Sequence, residues 1–487
     1  MPTCVLIVGA GEAGRMLARE IASSASDSYH VAGFLDDNLT LRGELVEALP
    51  VLGTCGELAV VVAQHRIEEV IIAVPSASRE FNRRMVALCR DAGVPFRIVP
   101  GMLEIIRGPV RLEQIRDMRP EDLLGRESVE FDEGAISRAL AGRSVLVTGA
   151  GGSIGGEICR QIGRFDLRAL YLLGRGENQI YEIEQEMRTL HPRLRTEALI
   201  ADIRDGDELT RLFRRVSPDY VYHAAAHKHV HFMEAFPVEA VRNNVFGTLN
   251  VIEAARAAGV ERVVMLSTDK AVKPCGVMGA TKRFAEYLMM SYTAGGGRPR
   301  LIAVRFGNVL ASRGSVVPMF IRQIRQGGPV TVSHEQATRF FMSLKEACLL
   351  VVQASLIGEG GEVFILRMGE PIRILEVARD LIALYGYKPG VDIEIQVVGL
   401  RPGEKLHEDL VAPGEEAVES EHALILRSRG TIPEGLNVGA ALAELRRLAD
   451  AGDADGIRSY LGTIIPDARM GAGAGAPGGA AGEGPKR

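Results

Sequence analysis

The sequence predicts an α/β fold of two doubly wound parallel-sheet domains, the second with a smaller C-terminal substrate lobe. Three observations predict it. Short β-branched runs alternate with helical patterns almost from end to end, as parallel sheets with crossover helices require. Two glycine-rich turns, one beginning at Gly9 and one at Gly149, each follow an apolar run and open a helix, so both domains read as Rossmann-like. The chain has 487 residues, more than one ordinary core holds.

The elements follow in order. Thr3 to Ile21 ("TCVLIVGAGEAGRMLAREI") reads as strand, turn and helix. "HVAGFLDD" is a second strand ending at Asp36 and Asp37; "EEVIIAVP" and "PFRIVP" are further strands, each after an amphipathic stretch. This set closes near Gly101, and the charged residues up to Arg143 break the rhythm. The pattern restarts with six strand-like runs: "RSVLVTGAGG", "RALYLLGRGE", "RTEALIADIRD", "PDYVYHAAAHKHV", "ERVVMLSTDK" and "RLIAVRFGNV". Beyond Gly314 the elements shorten, as a substrate-covering lobe would. The expected division is an N-terminal nucleotide- or CoA-binding-like domain over 1–125 and a connector over 126–143. A catalytic domain with its lobe follows over 144–425, then a helical extension over 426–466. Residues 467–487, rich in Gly, Ala and Pro without periodicity, are expected to be a disordered tail. The halves share no glycine pattern, so they are two members of one fold type and not a duplication.

Composition excludes several functions. A formal net charge of -5 and the absence of a basic run argue against nucleic-acid binding. Six scattered cysteines, with no Cys-x-x-Cys pair, fit a reducing compartment and give no support for a zinc or other metal site. The chain enters a strand pattern at once and its apolar runs fall short of the ~20 residues that a membrane span needs. A cytoplasmic location without a membrane span is expected.

The second glycine turn, Thr148 to Gly155 ("TGAGGSIG"), has the better dinucleotide pattern. Gly149 allows the sharp turn, Gly152 lets a pyrophosphate approach the backbone, and Gly155 lets helix and strand pack closely. Ser153 and Ile154 begin the helix whose free N–H groups favour phosphate. At the end of the next strand, where an acid would hold a ribose 2′-hydroxyl, stand Gly174 and Arg175. An Arg there suits a 2′-phosphate, so NADP is slightly favoured over NAD; a solvated helix-start residue is the plainer alternative. Asp202 and Ile203 are placed to flank the adenine, with Ala224 and Ala225 ending the fourth strand beside the cofactor. The first turn, Gly9 to Gly14, also matches, but Glu12 puts a negative charge at its phosphate position.

"VVMLSTDK" is the fifth strand of the second domain, and ligands bind at the carboxyl ends of such strands. Thr268, Asp269 and Lys270 end it, and Lys282 follows on the next helix. Met278 and Lys282 lie four apart and share a helix face. Polar residues closing an apolar strand are either an exposed loop or a site; beside a dinucleotide turn they read as a site. His227, Lys228 and His229 follow the fourth strand, near the nicotinamide or the sugar.

"STDKAVKPCGVMGATKRFAE", "TGAGGSIGGEI", "HAAAHKHV", "RFGNVLASRGSVVPMF", "TRFFM" and "GLRPGEKLHEDL" together resemble the nucleotide-sugar 4,6-dehydratases of bacterial polysaccharide biosynthesis. These are extended short-chain dehydrogenases acting on UDP-N-acetylglucosamine, here of the subgroup with Met-x-x-x-Lys where the wider family keeps Tyr-x-x-x-Lys. The similarity runs from about Thr3 to Leu410. Many larger relatives carry membrane helices ahead of the first domain; this sequence departs from them in showing none.

The resemblance implies a lyase that binds NAD or NADP tightly and regenerates it within each turnover. Hydride leaves carbon 4 of the UDP-sugar, water is eliminated across carbons 5 and 6, and hydride returns at carbon 6. It assigns Lys270 as base and Asp269 as acid. That assignment is consistent with a neutral amine beside a neutral acid, or with one proton shared by the pair. Thr268 takes the hydroxyl contact of the missing Tyr, directly or through a water. Lys282 holds the nicotinamide ribose, and Met278, which cannot titrate, lines the pocket. Substrate contacts are expected from His227, Lys228 and Asn308, from Arg339 and Arg401 as forks on the diphosphate, and from Glu404. A homo-oligomer is expected. A nucleotide-sugar epimerase and a catalytically dead nucleotide sensor remain the alternatives.

Overall fold

The structure, a computed structural model, describes residues 2–23, 28–100, 115–120, 122, 131–293, 297–310 and 312–470. Residues 126–130 of the expected connector and 471–487 of the expected disordered tail lie outside the described residues. The chain forms two compact units. The first comprises residues 1–130, 314–332 and 374–397; the second comprises 131–313, 333–373 and 398–487. Two segments within the range expected for the catalytic domain therefore group with the first unit.

In the first unit the strands are β1 (Thr3–Val8), β2 (Tyr29–Leu35), β3 (Leu45–Val46), β4 (Leu49–Gly53), β5 (Glu69–Ile72) and β6 (Phe96–Ile98). They form one sheet in the order β3-β4-β2-β1-β5-β6, parallel except for the β3–β4 pair. Successive side chains of a strand face opposite ways, and β1 buries both sets. Val5 and Ile7 pack with Leu17 and Ile21 of α1 (Glu12–Ser23), while Leu6 and Val8 pack with Leu58 of α2 (Leu58–His65) and Met85 of α3 (Arg79–Asp91). Ser78 caps α3 by accepting from the Phe81 N–H. Helix Ile374–Leu384 meets α3 through charge: Asp380 pairs with Arg79 at 3.0 Å and Arg83 at 2.5 Å.

The second unit opens with α4 (Glu133–Leu140), capped by Asp132. Its first six strands are β7 (Ser144–Thr148), β8 (Ala169–Gly174), β9 (Thr196–Ile200), β10 (Tyr220–His223), β11 (Arg262–Leu266) and β12 (Arg300–Arg305). The helices between them are α5 (Ser153–Gly163), α6 (Glu177–Leu190), α7 (Gly206–Val216), α8 (Val230–Ala235), α9 (Pro237–Ala240), α10 (Gly247–Ala257) and α11 (Val277–Thr293). The sheet is larger than six strands. It runs β9-β8-β7-β10-β11-β12 and continues through Val363–Leu366, Ile425–Ser428 and Ala417–Glu419, the last two antiparallel. Strand order reverses between β7 and β10, the crevice where doubly wound sheets hold ligands. Helices Val438–Asp450 and Ala454–Ile464, capped by Asn437 and Asp453, add Leu445, Leu448, Ile457 and Leu461 to the unit's core.

Candidate active site

The turn after β7 is built so that only glycine fits. Gly149 has φ +68°, and a Cβ there would lie 2.9 Å from the Ala225 Cα. A Cβ on Gly155 would lie 2.3 Å from the Gly149 carbonyl oxygen, so α5 starts against the strand end. Beneath the turn, buried His223 joins Thr148 (2.8 Å to Nδ1) and Thr248 (3.1 Å to Nε2). Thr248 donates to the Asn244 carbonyl, which leaves Nε2 of the imidazole as the donor. Burial and then the charge of Lys282 push its pKa down to about 3, so it stays neutral.

A cavity of about 560 Å³ opens over this turn. Of the residues expected at the cofactor, Gly149, Gly152, Ser153, Ile154, Gly155, Arg175 and Ala224 line it, together with His227, Lys228 and His229. Ala225 meets Gly149 as described. Asp202 instead accepts from Arg204 and lies 3.8 Å from Arg175. Ile203 is buried against Gly247, inside the core. Phe232, Phe236 and Arg313, which the sequence did not single out, line the same cavity; the Arg313 N–H donates to Ser153 Oγ.

Thr268, Asp269 and Lys270 come together where β11 ends. The Thr268 hydroxyl donates to Asp269 Oδ1 at 2.9 Å, and Lys270 Nζ donates to that same oxygen at 2.9 Å. Asp269 is fully buried, and among the described residues its Oδ2 has no hydrogen-bond partner. A Cβ on Gly307 would lie 3.1 Å from Oδ2, so glycine leaves that carboxylate its space. The side-chain oxygen of Asn308 accepts from Lys270 Nζ at 3.0 Å, which places it at the same cluster. Burial alone would draw the Lys270 ammonium down, but Asp269 and Glu408 outweigh it and hold its pKa above the usual range. That direction favours the protonated form of Lys270 over the free amine.

Lys282 is buried, and desolvation brings its pKa to about 8 although Glu286 opposes the shift. Met278 is buried in the core of the unit. The Asn244 side chain, in the π-helical turn Val241–Phe246, bonds the His227 N–H and carbonyl and the Thr281 hydroxyl, tying the β10 loop to α11. Lys228 reaches Ser312 at 3.5 Å; burial and then the Lys270 charge lower its pKa.

Of the two diphosphate forks expected, Arg339 is turned to the protein's own backbone and Arg401 keeps an exposed side chain. Arg339 is buried, and its guanidinium donates to the carbonyls of Thr338, Lys405 and Leu406. Arg401 is exposed, and Glu404 accepts from its backbone N–H to close a turn. Under the site, Arg305, Arg283, Glu286 and Glu415 form a buried ionic group. Arg305 bonds both carboxylates, and Ser267 donates to Glu286 at 2.6 Å. Among the described residues no group of three His, Cys, Asp or Glu could hold a metal ion. Among the same residues no helix is long and apolar enough to cross a membrane.

The family profile described as "Polysaccharide biosynthesis protein" matches residues 145–429. The chain belongs to that polysaccharide biosynthesis family. The resemblance read from the motifs thus holds at family level. The capsular polysaccharide biosynthesis protein CapD of Staphylococcus aureus is 43% identical over 426 residues, 87% of this chain and 71% of that protein. The UDP-glucose 4-epimerase of Rickettsia akari is 35% identical over 285 residues, 56% of this chain and 79% of its own. Among solved structures, Pen from Bacillus thuringiensis superposes with TM-score 0.55 at 35% identity, covering 61% of this chain and 89% of Pen. The dTDP-glucose 4,6-dehydratase DesIV from Streptomyces venezuelae, solved with NAD, shares the fold at TM-score 0.50 and 21% identity, covering 66% of this chain and 99% of DesIV. A second profile, described as "CoA-binding domain", matches residues 3–100 in the first unit of this family member.

Proposed function

We propose that this polysaccharide-biosynthesis enzyme is a nucleotide-sugar 4,6-dehydratase, and that a UDP-N-acetylhexosamine, UDP-N-acetylglucosamine first, is its substrate. The hydrogen-bonded Thr268–Asp269–Lys270 group at the carboxyl end of β11 carries the reading. The residues present suit a dinucleotide: Gly149 to Gly155 form a turn without side chains over an open cavity, at the N-terminus of α5. Arg175 on one side and buried Lys282 on the other would hold its two ends, the latter at the nicotinamide ribose. A bound nicotinamide would supply hydride chemistry, accepting from carbon 4 of the sugar and returning at carbon 6, with carbon 5 regaining a proton. NAD and NADP both suit Arg175; its neighbour Asp202 weakens the preference for a 2′-phosphate.

The chain's own groups handle protons. Thr268 contacts the 4-hydroxyl, directly or through a water, while its own hydroxyl hydrogen points at Asp269; the 4-hydroxyl proton itself leaves to water. Elimination needs one acceptor for the carbon-5 proton and one donor for the departing 6-hydroxyl. The hydrogen-bonded Asp269–Lys270 pair can supply both from the proton between them. Lys270 as base with Asp269 as acid, or the reverse, differ only by moving one proton across the 2.9 Å hydrogen bond. Met278 takes no part in proton transfer.

Epimerisation is the second reading, favoured by the Rickettsia relative, since both reactions begin by oxidising or deprotonating the same sugar positions. Lys270→Ala separates a site from a scaffold: product formation is expected to fall by at least ~100-fold while dinucleotide binding persists. Turnover at the wild-type rate would remove Lys270 from the chemistry.

A further inference from the structure

We propose that Glu408 is a positioning residue of the Asp269–Lys270 pair, fixing the place and charge of the Lys270 ammonium; this rests on the elimination reading above. Glu408 is buried, with Oε1 3.7 Å from Lys270 Nζ and 3.8 Å from Arg339 Nε, and Oε2 3.1 Å from Lys405 Nζ. Among the described residues Oε2 has no hydrogen bond of acceptable geometry. A buried carboxylate oxygen left without a hydrogen bond is costly, and here three cations lie within 4 Å of the group.

The chain on both sides of Glu408 is held in place. The Arg339 guanidinium bonds the Lys405 and Leu406 carbonyls, and the Thr338 N–H donates to the Leu406 carbonyl at 3.0 Å. Lys405 Nζ reaches the Val272 carbonyl, and buried Arg305 donates to the Leu410 carbonyl at 2.8 Å. Arg339 thus acts as the clamp that delivers Glu408 to Lys270. The charges facing Lys270 are Asp269 and Glu408 on the anionic side and Arg339 and Lys228 on the cationic side. With Glu408 neutral, Asp269 alone would oppose two cations and desolvation, and Lys270 would give up its proton more readily.

The test uses the full chain without substrate. Lys270 keeps 23% of its side chain exposed, so a pulse of acetic anhydride followed by peptide mass spectrometry reads its acylation against pH. In Glu408→Gln the acylation midpoint is expected to fall by about one pH unit or more. Glu408→Asp, with its carboxylate withdrawn by one methylene, is expected to give a smaller fall, and keeps the test open if the Gln variant does not fold. A midpoint unchanged in a folded variant overturns the proposal. The pH profile of kcat with UDP-N-acetylglucosamine is expected to move with that midpoint. If the wild type forms no keto sugar, the elimination reading fails, while the acylation midpoint still decides whether Glu408 governs Lys270.

Discussion

Met278 occupies the place where Tyr-x-x-x-Lys relatives keep a hydroxyl, and it is buried in the core of the second unit. A thioether can neither give nor take a proton, so the work falls to the group at the strand end. Met278→Leu should therefore keep wild-type turnover and cost less than about 1.5 kcal/mol of stability, measured by denaturant unfolding. Thr268→Val removes the hydroxyl that donates to Asp269; kcat should fall by roughly 100-fold or more with dinucleotide affinity unchanged. Thr268, Asp269 and Lys270 were legible because they stand together at the end of an apolar strand. Glu408 was not. It lies far downstream inside "RPGEKLHEDL", and only the fold brings it beside Lys270. The surroundings of Arg339 were not legible either, since no sequence pattern shows that backbone carbonyls surround its guanidinium.

At the scale of elements, the glycine turn and the buried ionic group position the site. Gly149→Ala places an L-residue at φ +68° and a Cβ against Ala225. Strain of about 1–2 kcal/mol is expected from the backbone alone, with loss of the thermal stabilisation that added dinucleotide gives the wild type. Arg305 is fully buried between Glu286 and Glu415. Arg305→Met leaves two buried carboxylates short of a partner and should cost about 3–5 kcal/mol at neutral pH. Burial alone would raise the Glu415 pKa, but Arg305 and then Arg283 hold it down to about 2. An unfolded Glu titrates near ~4.3, so this group's contribution is present above that pH and is lost as pH falls toward 2. The gap between wild type and Arg305→Met should therefore narrow from pH ~5 downward in acid-unfolding curves; a constant gap would argue against the ionic account. The strand–turn–helix repeats up to β12 were legible from period and glycine placement. Val363–Leu366, Ala417–Glu419 and Ile425–Ser428 were not: they are three or four residues long and give no alternation over a useful window.

Across the whole molecule, the second unit of this polysaccharide-biosynthesis family member brings a dinucleotide-type cavity and a charged Asp–Lys pair onto one sheet. At the end of β11 Thr268 and Lys270 both hydrogen-bond Asp269 Oδ1. In the first unit Asp36 accepts from the Ala10 N–H at 2.7 Å, placing a carboxylate on the glycine turn itself. That agrees with a turn poorly suited to phosphate, and titration of the full chain with NAD should accordingly give one site per chain and not two. The most direct measurement is incubation of the full chain with NAD and UDP-N-acetylglucosamine, followed by mass spectrometry and NMR of the sugar. The account predicts a product one water lighter, with a ketone at carbon 4 and a methyl group at carbon 6; an isomer of unchanged mass would contradict it.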